Sequence, residues 1–316
     1  MSTNRFPSWD KISAKEEATG GRYKARILRQ KVYKNNCEIF SAGGYISDKG
    51  NEVEIPINDP MLDGTKVYRD AFNVNNIAPL CADTKTNVIN DDCLAVAKSL
   101  LDEGLNPCVM NLADAYVACG FYKKGSSAQE ESLCRATTLS RSLFQFFKAK
   151  TGKLNRYAED VNVAIKEYAY PMDLNYGGIY SPNVTVFRNG LDHHALLEET
   201  YKVGIVSVAA LDFNEKHGKN LEYQAPDGGM TAEGEEILKN KIRTIYRITL
   251  SNGHDALVAG AFGCGAFRLP ADKVATLFHE ILDEKEFKNK FRNVTFAILD
   301  KDGANGKFAP FYKTFN

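Results

Sequence analysis

The stretch Val203-Gly204-Ile205-Val206-Ser207-Val208-Ala209-Ala210-Leu211 limits the possible folds of this chain more than any other. It is nearly all apolar and lacks the alternation of a strand with one wet face, so it reads as a strand buried on both faces. Shorter strand candidates recur along the chain: Thr86-Asn87-Val88-Ile89-Asn90, Pro107 to Leu112, Val184-Thr185-Val186-Phe187, Ala256-Leu257-Val258-Ala259 and Asn293 to Leu299. Helical patterns fall between them. One is capped by Asp91 or Asp92, carries Leu94, Ala97, Leu100 and Leu101, and stops at Gly104. Another runs from Thr231 to Asn252 with Ile237, Ile242, Ile245, Tyr246 and Ile248, and a further one starts at Pro270. Apolar strands alternating with helices, without internal repeats, predict a three-layer α/β/α domain.

The rest of the chain is less regular. Residues 1–35 suggest an arm that becomes an amphipathic helix through Tyr23, Ile27, Leu28 and Val32. Gly44-Tyr45-Ile46 and Val53 to Ile57, separated by Asp48-Lys49-Gly50, predict a hairpin. Residues 58–80 read as loop, 158–168 as a helix ended by Pro171, and 212–230 as a polar, glycine-rich loop. The expected division is a helical arm with an accessory hairpin at 1–80, then a catalytic domain at 81–316.

Charge narrows the function classes. Lys plus Arg and Asp plus Glu number 40 each, so no global charge advertises nucleic acid or an anionic membrane. No apolar run approaches the ~18–20 residues that span a bilayer, and Met1-Ser2-Thr3-Asn4-Arg5 lacks a signal-peptide core. The seven cysteines show no CxxC pair, which argues against a disulfide scaffold or a zinc site and for free thiols in a reducing compartment. Placement in the cytoplasm or nucleus is expected.

Two loops leave buried strands and enter helices. The first, Asn111 to Phe121, leads to Gly125-Ser126-Ser127-Ala128-Gln129-Glu130-Glu131, where a helix begins and runs with Leu133, Leu139, Leu143, Phe146 and Phe147 to about Lys150. Ser127 and Glu130 have the spacing of a capping box, which accounts for Glu130 and leaves Glu131 spare. The second loop is Gly260-Ala261-Phe262-Gly263-Cys264-Gly265-Ala266-Phe267. Ligands of such sheets bind beyond the carboxyl ends of strands, and small residues there let backbone N–H groups approach a phosphate. Tight-turn packing explains a glycine cluster equally well.

Gly125 to Leu133, together with the Gly260–Phe267 loop and Tyr180-Ser181-Pro182-Asn183-Val184, resembles the microbial-type poly(ADP-ribose) glycohydrolases, marked by a triple glycine and a later Gln-Glu-Glu. The resemblance covers most of 85–300. It implies a macrodomain-like mixed sheet with an N-terminal extension, an ADP-ribose ligand, and neither metal nor cofactor. By position, Glu131 is the expected catalytic acid and Glu130 the neighbour that orients ligand hydroxyls. Asp92 matches the acid that receives the adenine amino group. Gly263, Cys264, Gly265, Ala266 and Phe267 match the second phosphate loop, and Asn111, Asp114, Gly120, Phe121 and Gln129 complete the expected ligand contacts.

The sequence also departs from that pattern. The triple glycine falls on Cys119-Gly120-Phe121, Val117-Ala118 replace the usual Asn-Pro, and Asp114 adds a negative charge. Phe121 places bulk where a backbone should meet ligand and disfavours positive φ. Other candidates are weaker: His193-His194 lack a third metal ligand, His217, His254 and His279 are scattered, and Cys264 is either a reactive thiol or a small packed residue. The expected function is removal of ADP-ribose from modified protein or poly(ADP-ribose), with free ADP-ribose as product. The alternative is a reader that binds ADP-ribose without turnover.

Overall fold

The structure is a computed structural model that describes residues 6–147, 156–300 and 306–316. The chain opens with helices α1 (Lys11–Thr19) and α2 (Gly21–Ala42), the hairpin strands β1 (Gly44–Ile46) and β2 (Glu52–Glu54), helix α3 (Pro60–Gly64) and strand β3 (Lys66–Tyr68). Then come β4 (Lys85–Ile89), α4 (Cys93–Asp102), β5 (Pro107–Ala113), α5 (Gln129–Ala136), α6 (Leu139–Phe144) and α7 (Arg156–Asp160). The remainder is β6 (Gly178–Asn189), β7 (Ala195–Ala209), α8 (Ala232–Ser251), β8 (Ala256–Ala259), α9 (Ala271–Leu282), β9 (Asn293–Ala297) and α10 (Phe308–Phe315).

Seven strands form one sheet in the order β3-β6-β7-β5-β8-β9-β4, and β1 pairs antiparallel with β2. Helices flank the sheet, which is the layered α/β arrangement expected from the apolar strand pattern. Its β7-β5-β8-β9-β4 portion is parallel, with Val109 opposite Ile205 and Val258, and Asn87 opposite Thr295. The short 190–194 link makes β6 and β7 an antiparallel pair, so the sheet is mixed.

By contacts the chain forms two compact units that interleave in sequence. The first contains residues 1–66, 116–171 and 181–202; the second contains 67–115, 172–180 and 203–316. The second unit has an apolar core in which Val206 and Val208 pack with Ile242, Ile245 and Ile248 of α8, Phe278 of α9, and Phe311 and Phe315 of α10. The first unit buries a charged side chain among its apolar ones. Arg188 is 1% exposed, and it is held by Asn36 Oδ1 at 2.7 Å, the His194 carbonyl at 2.8 Å and Asn35 Oδ1. Burial pushes its pKa down to about 9, and among the described residues no carboxylate pairs with it.

Several expectations change. The helix predicted from Gln129 to Lys150 is two helices, because Thr137 leaves helical geometry at φ −138° and ψ 172°. Thr138 N–H donates to the Thr185 carbonyl and Thr185 N–H to Thr138 Oγ1, each at 3.0 Å, so β-branched residues pair with β6 rather than continue a helix. Leu139 and Leu143 keep the apolar stripe on α6, which makes the sequence look continuous; Lys150 lies outside the described residues, as does Met1–Arg5. The helix expected over 158–168 is only α7, after which Lys166 and Ala169 donate N–H groups to the carbonyls of Gln145 and Phe146. The loop read at 58–80 contains α3, capped by Asp59 with Pro60 behind it, and the edge strand β3. Strand β6 extends past Pro182 because Asn183 takes φ +49° and absorbs the irregularity.

Candidate active site

In the first unit, the segment before α5 closes into a tight turn around the two glutamates. Cys119 and Gly120 adopt φ of +59° and +51°, and Phe121 returns to φ −100°. The left-handed demand therefore falls on Cys119 and Gly120, so Phe121 does not occupy a position that requires glycine. Its ring is 49% exposed, with Lys124 Nζ 5.1 Å from the ring centre. Phe121 N–H donates to Glu131 Oε1 at 2.9 Å. A methyl group at Gly120 would lie 2.7 Å from Glu131 Oε1 and 3.3 Å from Glu130 Oε2, so this backbone approaches the carboxylates as only glycine can.

The expected Ser127–Glu130 capping box does not form. The cap of α5 is Ala128, which has no side-chain oxygen to offer, and Ser127 stands outside the helix. Starting one residue later turns both glutamates toward the 119–121 turn, where Glu130 is 3% and Glu131 5% exposed. Burial and the Phe121 N–H replace the capping contact. Glu131 thus belongs to a structured turn, not to solvent.

Helix α2 fastens this turn from behind. Arg29 Nε donates to the Gly125 carbonyl at 2.7 Å, and Arg26 Nε to that of Lys124 at 2.9 Å. Asn36, fully buried, donates to Tyr122 Oη at 2.7 Å and to the Arg135 carbonyl at 2.9 Å while accepting from Arg188. One side chain therefore ties α2 to both ends of the segment that carries the glutamates. Arg135, pulled down to about 10 by burial, braces the same segment through the Ser126 carbonyl at 2.7 Å. Asn36→Leu is expected to leave those partners buried and unpaired, lowering stability by ~2–4 kcal/mol and slowing turnover through the displaced turn. Thermal melts and rates on one preparation check both.

The remaining predicted residues lie in the second unit. Asp92 caps α4, its Oδ1 accepting from Leu94 N–H at 2.9 Å, and burial raises its pKa. Asn111 is fully buried in β5 and donates to Ser207 Oγ at 3.0 Å, and Asp114 follows that strand half-buried. In the second loop Gly263 has φ +72°, and a methyl group there would meet Leu269 at 2.5 Å and Ala210 at 2.8 Å. The Gly265-Ala266-Phe267 turn is more open. Among the described residues, none of its three N–H groups donates to a backbone carbonyl. Its outer side is fixed by Phe213 N–H on the Phe267 carbonyl at 2.8 Å and by Asn214 Nδ2 on that of Ala266 at 2.9 Å. Cys264 is buried, and its pKa is pushed up to about 12, which removes the reactive-thiol alternative.

The structure thus brings Gly120, Phe121, Glu130 and Glu131 together in one unit, with Gln129 opening α5. It brings Asp92 and the Gly263–Phe267 loop into the other. Sequence reasoning missed Asn36 and Arg135, although polar Asn35-Asn36 inside the apolar stripe of α2 is a signal that could have found them. No group of three or more His, Cys, Asp or Glu among the described residues could hold a metal ion. No helix among them is long and apolar enough to cross a membrane.

These features define an α/β protein with a buried glutamate pair in one unit and an open glycine turn in the other, and comparison with known proteins shows what the chain is similar to. Residues 34–189 match the family described as microbial-type PARG, catalytic domain. The chain is similar to the poly(ADP-ribose) glycohydrolase of Thermomonospora curvata at 26% identity and a TM-score of 0.69, covering 91% of this chain and 99% of that one. The same values hold for that enzyme bound to the inhibitor ADP-HPD. Similarity to the Deinococcus radiodurans enzyme in complex with ADP-ribose is 25% in identity with a TM-score of 0.58, over 80% of this chain and 94% of that one. No curated protein matches the sequence.

Proposed function

We propose that this protein is an ADP-ribosyl glycohydrolase that releases ADP-ribose from modified protein or from poly(ADP-ribose). The observation that carries the reading is the buried Glu131 carboxylate, fixed by Phe121 N–H against a glycine-only approach at Gly120. The family match over 34–189 and the likeness to glycohydrolases holding ADP-ribose or ADP-HPD support it.

Hydrolysis of a ribosyl C–O bond passes through an oxocarbenium-like state, and one acid near the departing oxygen does most of the work. Glu131 gives its proton to that oxygen as the bond breaks. The resulting carboxylate then takes a proton from the water that adds to the ribose carbon. Glu130 orients ribose hydroxyls. The Gly263–Phe267 loop binds the diphosphate through its backbone N–H groups, and Asp92 accepts from the adenine amino group. The fold is of the macrodomain kind, with Cys119 and Phe121 standing where the family keeps glycine.

Calorimetry tests the ligand: ADP-ribose should bind more tightly than ADP, which lacks the distal ribose that meets the carboxylates, and than NAD, whose nicotinamide crowds that ribose. No heat with any of them on folded protein would count against the reading. Binding without release from modified protein would make it a reader.

A further inference from the structure

We propose that Lys307, at the start of α10, is a phosphate-binding residue that completes the Gly265 turn as a site for the ligand's diphosphate. The inference rests on the ADP-ribose reading above and adds a residue from the C-terminal segment to it. Lys307 is half-buried, and its Nζ lies 4.0 Å from where a Cβ at Gly265 would stand. Its charge is also felt at the neighbouring Cys264 thiol. Among the described residues, no carboxylate lies within ion-pair distance of Lys307. A half-buried ammonium with no counter-charge among the described residues, set over a turn whose three N–H groups meet no described backbone carbonyl, makes a cation-and-amide cradle suited to a dense anion.

The position is built. Asp300 is 1% exposed, and its Oδ2 accepts from the N–H groups of Lys307 at 3.1 Å and Phe308 at 3.2 Å. Asp300 is in turn locked to Asn90 by two hydrogen bonds, Asn90 Nδ2 to its carbonyl at 2.9 Å and its N–H to Asn90 Oδ1 at 3.0 Å. Asn90 lies two residues before Asp92, the proposed adenine acceptor. Phe311 and Phe315 anchor α10 on Phe296, with ring centres 5.1 and 4.4 Å apart. The C-terminal helix therefore holds a lysine between the end of β4 and the glycine turn. Being a charge contact, it contributes to affinity for phosphate and not to the breaking of the ribosyl bond.

Lys307→Ala should weaken ADP-ribose binding by ~10-fold or more, the weight of one charge-assisted hydrogen bond. Lys307→Arg should recover most of it, and raising salt should narrow the gap between wild type and Lys307→Ala. Adenosine, which has no phosphate, should bind both proteins alike, with unchanged thermal melts. If wild type binds ADP-ribose and Lys307→Ala binds it equally well, the inference falls and the glycohydrolase reading stands. Equal losses for adenosine and ADP-ribose would show that Lys307 only props the segment, which also overturns it. Wild type that binds no ADP-ribose would sink both.

Discussion

Glu131→Gln is expected to slow ADP-ribose release by ~10²-fold or more, the usual weight of general acid catalysis, with affinity for ADP-ribose changed by only a few-fold. The argument is geometric. Glutamine keeps an oxygen that can accept from Phe121 N–H, so the 2.9 Å contact and the turn around Gly120 survive. What is lost is a proton that can be transferred. Glu131 has no capping duty on α5, whose cap is Ala128, so the helix does not depend on it. Melting temperature should move little, which separates chemistry from folding on the same preparation. Glu130→Gln serves as the comparison: it keeps the acid and should weaken substrate orientation, reducing turnover less than Glu131→Gln does.

Gly120→Ala should be nearly as damaging, for a different reason. The added methyl group must tolerate φ +51°, a strain of ~1–2 kcal/mol, and would lie 2.7 Å from Glu131 Oε1. The carboxylate is 5% exposed and has little room to retreat. The turn must open or Glu131 must move, and a displacement of about 1 Å at a catalytic group is enough to lose ~10²-fold. Gly104→Ala controls for strain alone. Gly104 has φ +80° with no atom within 4 Å of an added Cβ, so it should lower stability and leave turnover intact. If Gly120→Ala works at the wild-type rate, the close approach of this turn to Glu131 is not part of the site.

What could be read from the sequence was whatever is periodic or local. The all-apolar Val203–Leu211 run, the four-residue strand at Ala256–Ala259 and the Thr231-capped helix α8 each announce themselves within a few residues, and together they specify the layered sheet. The glutamate turn was legible as a motif. Its mechanics were not, because they depend on contacts far along the chain. Thr137 breaks its helix by pairing with Val186, and Asn36 reaches Arg135 across 99 residues. The Ser127–Glu130 spacing was a sound local argument defeated by burial, since drawing both carboxylates against Gly120 outweighs one exposed capping contact. Phe121 misled in the same way: the substitution looked incompatible with the turn until Cys119 and Gly120 proved to carry its positive φ values.

Single-turnover release of free ADP-ribose from a protein modified through oxygen, followed with enzyme in excess for wild type and Glu131→Gln in parallel, tests the central claim most directly. The account predicts complete release by wild type and a rate lower by ~10²-fold or more in the variant, with ADP-ribose affinities within a few-fold of each other. Equal rates in the two proteins, or binding by both with release by neither, would contradict it.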